Sequence, residues 1–124
     1  MMGLLDDIRT LIVGIESNIF LGSTPDMPHN LMTIYHTGGA DPNHSFEKRQ
    51  YRNQTIQIKV RNMSYAIAEN KLKQVSASLD GKTEIVINGT RYISIFQQGD
   101  VLPLGMDEKG RSSLTLNFRI RVES

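Results

Sequence analysis

Over residues 114–122 the chain alternates without a break. Leu114, Leu116, Phe118, Ile120 and Val122 are apolar, and Thr115, Asn117, Arg119 and Arg121 stand between them. Successive side chains of an extended strand point to opposite faces of a sheet, so a period of two puts one face in a core and leaves the other polar. The pattern predicts a long, half-buried antiparallel strand with a cationic outer face. Residues 55–61 repeat it, with Ile56, Ile58 and Val60 on one side and Gln57, Lys59 and Arg61 on the other.

Helical periodicity occurs twice. Leu4, Leu5, Ile8, Leu11, Ile12 and Ile15 recur at three- and four-residue spacing, with Asp6 and Asp7 early, where acidic groups complement the helix dipole. Tyr65, Ala68, Leu72, Val75 and Leu79 form a second stripe, with Asn62 or Ser64 as N-cap and Gly81 placed for a left-handed end. Short apolar runs at 19–21 and 31–35 read as strands separated by a Pro/Gly/Asn-rich loop. Asn88-Gly89 between 85–87 and 91–96 predicts a tight two-residue hairpin with Ile85 opposite Tyr92. Residues 100–111 read as a looser turn before the last strand. The order helix-β-β-β-helix-β-β-β describes an α+β domain, a mainly antiparallel sheet with two helices packed on it.

At 124 residues the expectation is one domain spanning 1–124. Fourteen basic against 13 acidic residues leave a net charge of +1, without the cationic excess of a dedicated duplex-DNA binder. The chain has no cysteine, which removes disulfides and thiolate metal sites. The N-terminal apolar run is interrupted by Asp6 and Asp7 and is too short to cross a bilayer, so neither a secretory signal nor a membrane partner is expected.

Residues 36–53 have little periodicity and many turn formers, and read as a long flexible loop. Gly38 and Gly39 open it, while Phe46 and Tyr51 are apolar side chains embedded in polar surroundings. Such residues suit a segment that meets a partner during assembly. His36, Asp41 and His44 are the one cluster of metal-ligand types, and their spacing fits no zinc or calcium pattern. Gly38-Gly39 lacks the Lys-Ser/Thr of a phosphate loop, and no nucleophile elbow or ordered Ser/His/Asp set is present. The reading is a non-enzymatic chain without cofactor or metal. Lys59, Arg61, Arg119 and Arg121 form a candidate cationic face for subunit packing or for a channel that nucleic acid passes.

The segments IYHTGG, QTIQIKVRN followed by SYAIAENKL, and LGMDEKGRSSLTLNFRI resemble a phage minor capsid family, the tail terminators (tail-completion or head–tail joining proteins) of long-tailed phages and prophages. The likeness runs from Ile8 to the C-terminus, and its most specific part is LG-x-DEKGR with the strand after it. Leu104, Gly105, Asp107 and Gly110 match the turn before the last strand, Phe118 matches the apolar position within it, and Gly38 and Gly39 match the start of the variable loop. The resemblance implies a homo-oligomer, a hexameric ring at the head-proximal end of the virion tail, assembled in the bacterial host cytoplasm. Such a ring ends tail-tube polymerisation, meets tail tube protein on one side and neck connector proteins on the other, and lets DNA through without sequence specificity. Two alternatives accompany this reading. One is a head-closure or neck connector component, and the other is a small cytosolic enzyme or ligand-binding domain using the 36–44 loop.

Overall fold

A computed structural model describes residues 3–39 and 51–123. The elements in chain order are α1 (Leu4–Ile12), β1 (Ile19–Leu21), β2 (Leu31–Gly39), β3 (Tyr51–Asn62), α2 (Tyr65–Leu79), β4 (Lys82–Ile87), β5 (Thr90–Met106) and β6 (Ser112–Glu123). The strands form one six-stranded sheet in the order β1-β2-β3-β6-β5-β4, antiparallel at every junction except β1 with β2. The α+β class and the element order therefore agree with the sequence pattern.

The alternating strand β6 lies at the centre of the sheet. Its register with β3 is unbroken from Tyr51 opposite Glu123 to Asn62 opposite Ser112. Leu114, Leu116, Phe118, Ile120 and Val122 are buried beside Ile56, Ile58 and Val60 of β3, and Met32 and Ile34 of β2 continue the same face. Both helices cover it. From α1 come Ile8 and Ile12, and from α2 come Ala68, Leu72, Val75 and Leu79. One helix-covered face and one bare face is the usual economy of an antiparallel sheet.

Local signals behave largely as their chemistry dictates. Ser64 caps α2, accepting from the Ile67 amide at 3.3 Å. Asn88 and Gly89 take φ of 49° and 81°, and Ile85 pairs with Tyr92, as a two-residue turn requires.

Four details differ from the sequence pattern. Tyr65 lies on the helical stripe but is exposed, as the first residue of α2. Ile15 falls beyond the end of α1 and packs against the core from a turn. At the end of α2, Asp80 is extended, and Gly81 (φ 82°) donates its amide to the Ile95 carbonyl at 2.9 Å. The glycine thus steers the chain into β4 instead of closing a left-handed cap. Residues 100–106, read as turn, are the second half of β5. Gly99, Pro103 and Gly105 mark irregularities within the strand, and register shifts fall at Gln98/Leu102 and Pro103/Gly105.

Candidate functional site

The parallel pairing of β1 with β2 has a geometric consequence. The chain must return from the end of β1 to the start of β2, so residues 22–30 run back along the strand pair as a strap. The strap crosses the bare face of the sheet. Thr24 donates its hydroxyl to Thr33 Oγ1 at 2.9 Å and is also hydrogen-bonded to the Tyr35 hydroxyl. Leu31 and Thr33 are buried beneath it although they point away from the helices.

Two arginines pin the strap. Arg61 donates from Nη2 to the carbonyls of Pro28 at 2.6 Å and Asp26 at 2.9 Å, and from Nε to the carbonyl of His29 at 3.2 Å. Arg111 donates from Nε to Asp107 Oδ2 at 2.7 Å, from Nη2 to Asp26 Oδ1 at 3.1 Å, and from Nη1 to the Asp26 carbonyl. Lys109 adds an ion pair to Asp26. Hydrogen bonds from Lys109 and Arg111 hold the Asp26 carboxyl below its ordinary range, and the Arg111 and Lys109 amides with the Arg111 guanidinium do the same for Asp107. Burial, aided by the neighbouring Arg111 charge, lowers the Arg61 value. The alternation that placed Arg61 on the bare face is correct, but the strap buries it there. It is a structural tie and no longer part of the accessible cationic surface.

Beyond the strap Thr115 is also buried, its hydroxyl donating to the Leu102 carbonyl at 3.4 Å, and the bare face opens toward Arg119. Arg119 is exposed, with Lys59 and Arg121 half-buried, and no carboxylate pairs with these three among the described residues. Arg121 lies over the Tyr51 ring, 5.1 Å from its centroid, a cation–π distance. Its Nε is buried without a hydrogen-bond partner. Phe96, opposite Arg119, and Leu102, opposite Thr115, bring apolar surface to the same face.

Tyr51 begins β3, and Gly39 is paired with Gln54, so strand pairing takes in both ends of the segment read as loop. Gly38 (φ 105°) sits at the register shift after His36. Phe46, Asp41 and His44 lie outside the described residues, and the His36 ring is hydrogen-bonded to the Gln54 side chain. Gly105 (φ 100°) marks a β5 irregularity, whereas Asp107 and Gly110 build the tight turn, the Gly110 amide donating to the Asp107 carbonyl at 3.0 Å.

At the opposite end, a cleft of about 810 Å³ opens between the start of α1 and the sheet, lined by Leu4, Leu5, Leu21 and Val122 with Arg52 and Gln54. At its wall the buried Asp7 carboxylate accepts from the Tyr92 hydroxyl and, at 2.7 Å, from Asn88 Nδ2. Burial, and then Asp7, push the Tyr92 hydroxyl's ionisation upward, so it stays protonated. The arrangement ties the β4–β5 turn to α1. No three His, Cys, Asp or Glu side chains converge as a metal site among the described residues.

What the open surface offers is charge and apolar contact. Asp26 and Arg111, which with Asp107 fasten the strap, escaped the sequence reading, and Asp107 entered it only as a turn residue. Asp26 and Arg111 lie 85 residues apart, and the one local signal was the turn chemistry of Asp107 with Gly110.

A family model described as bacteriophage tail terminator protein matches residues 3–124. A chain in a structure titled virion of native gene transfer agent (GTA) particle shares the fold. Its TM-score is 0.66 at 16% identity, covering 98% of this chain and 95% of that one. A second solved chain matches with a TM-score of 0.56 at 14% identity, covering 97% and 96%. Curated protein sequences give no match.

Proposed function

The chain belongs to the bacteriophage tail terminator family, and on that premise we propose that its copies close into a ring, of six by family resemblance, on the head-proximal end of the tail tube. The ring ends tube polymerisation, presents the surface to which the neck of the filled head docks, and passes DNA through its channel without reading sequence. It is a structural virion protein of the tail, and its work is contact, not turnover.

The observation that carries this reading is the pairing of a family match over residues 3–124 with a sheet face that the chain's own helices leave uncovered and that bears Lys59, Arg119, Arg121 and Phe96. A ring subunit needs different front and back patches, because a closed ring is made of head-to-tail contacts. The shared fold with a chain of a gene transfer agent virion supports a particle component. Near-zero net charge lets several copies converge without strong mutual repulsion.

Disruption of the gene tests the proposal. The expected result is DNA-filled heads unjoined to tails, with tails of abnormal length. Heads that leak DNA would mark a head-closure role instead, and normal infectious particles would refute both.

A further inference from the structure

Among the charges left without an ionic partner, two groups of opposite sign stand on different surfaces, apart from the exposed Arg52, Asp80 and Lys82. Lys109 and Arg111, the cations of the turn between β5 and β6, are spent on Asp26 and Asp107. Asp100 and Glu108 of the same hairpin are exposed and have no cationic partner among the described residues, so its outer edge and tip are acidic. Leu104 and Met106 between them are 54% and 69% exposed. Beyond Gln98 no strand among the described residues pairs with the outer side of β5, since β4 reaches only to Ile95. The open sheet face carries the opposite sign, from Lys59, Arg119 and Arg121, and its own apolar surface at Phe96.

We propose that each copy seats the acidic, apolar edge and tip of its β5–β6 hairpin on the cationic sheet face of the next copy. The partner is a second copy of this chain, and complementarity of charge and of exposed apolar surface selects it. Within one copy the Asp100 and Glu108 carboxylates make no ion pair with Lys59, Arg119 or Arg121. The contact is therefore between molecules, and it joins two unlike patches. Such contacts repeat around a ring and close it. This inference rests on the ring-forming reading above, and assigns the cations to the neighbouring subunit and not to DNA in the channel.

The absence of cysteine gives a clean test. The full-length Phe96→Cys/Met106→Cys variant, each single variant and the parent are incubated with tail tubes purified from particles lacking this protein, then oxidised and run on non-reducing gels. The double variant is expected to give a ladder ending at the mass of the closed ring, and the singles none. Arg119→Glu/Arg121→Glu in that background should lower the yield about tenfold, and adding Asp100→Lys/Glu108→Lys should restore it. All these positions are at least partly exposed, and circular dichroism confirms that each variant is folded. Rings visible by microscopy without a ladder overturn this seating and leave the ring standing. Cross-linking in a single variant reveals a two-fold contact and also overturns it. So does a charge reversal that spares the ladder but blocks DNA passage. No ring on any tube overturns both this inference and the function it rests on.

Discussion

Arg61 and Arg111, fifty residues apart in sequence, donate to one acceptor, the backbone carbonyl of Asp26. Two guanidiniums on one carbonyl would repel each other without the Asp26 and Asp107 carboxylates, which neutralise the pair. The cluster fastens the strap over one half of the bare sheet face and leaves the other half free. It thereby sets the boundary of the open part of that face.

Removing Arg61 should unfasten that boundary. Arg61→Ala leaves the carbonyls of Pro28 and His29 without their donor and the Asp26 carbonyl with Arg111 alone. The expected loss is about 3 kcal/mol of stability, read from urea denaturation. Amide exchange should accelerate most in residues 22–30. Uniform acceleration across the sheet would contradict a local role.

Acid should loosen the strap before the core. Asp26 and Asp107 bind protons more weakly in the folded protein than at the ordinary 3.8. Their contribution to stability is therefore complete above that value and is lost as pH falls through the lower, folded values. Amide exchange of residues 22–30, followed from about pH 5 to about pH 2, should rise at the acid end. In Asp26→Asn/Asp107→Asn that rise should disappear, the strap being loosened at every pH. A strap whose exchange ignores both pH and these substitutions would contradict the clamp.

The β4–β5 turn gives a third expectation. Gly89 has a φ of 81°, a region that β-branched residues resist. Gly89→Val should cost about 1–3 kcal/mol, whereas Ser64→Ala at the α2 cap should cost about 1 kcal/mol. Chemical denaturation of the two variants side by side checks the order.

Phe118 lies fully buried at the centre of the sheet. Phe118→Ala should destabilise the fold by about 3–5 kcal/mol, measured by thermal or urea unfolding, because it leaves a cavity in the buried core.

How much could be read in advance follows from the range of each interaction. The β6 alternation, the Asn88-Gly89 turn and the Ser64 cap are satisfied within a few residues, so the linear pattern specifies them. Gly99, Pro103 and Gly105 are punctuation in a local reading, yet cross-strand pairing with β6 carries β5 through all three as bulges. Period two correctly assigned Arg61 to the bare face. It carried no information about the strap that returns over that face, because the return depends on β1 pairing parallel to β2. The site was legible as residue types and faces. Which of its cations remain accessible was not, since that depends on carbonyls more than thirty residues upstream of Arg61.

The most direct measurement is end-on electron microscopy of tail tubes lacking this protein, after incubation with the purified chain. A single six-fold ring, one subunit thick, at one end of each tube and a halt to further tube growth are the predicted result. Decoration along the tube wall, or tubes that keep lengthening with the protein present, would contradict it.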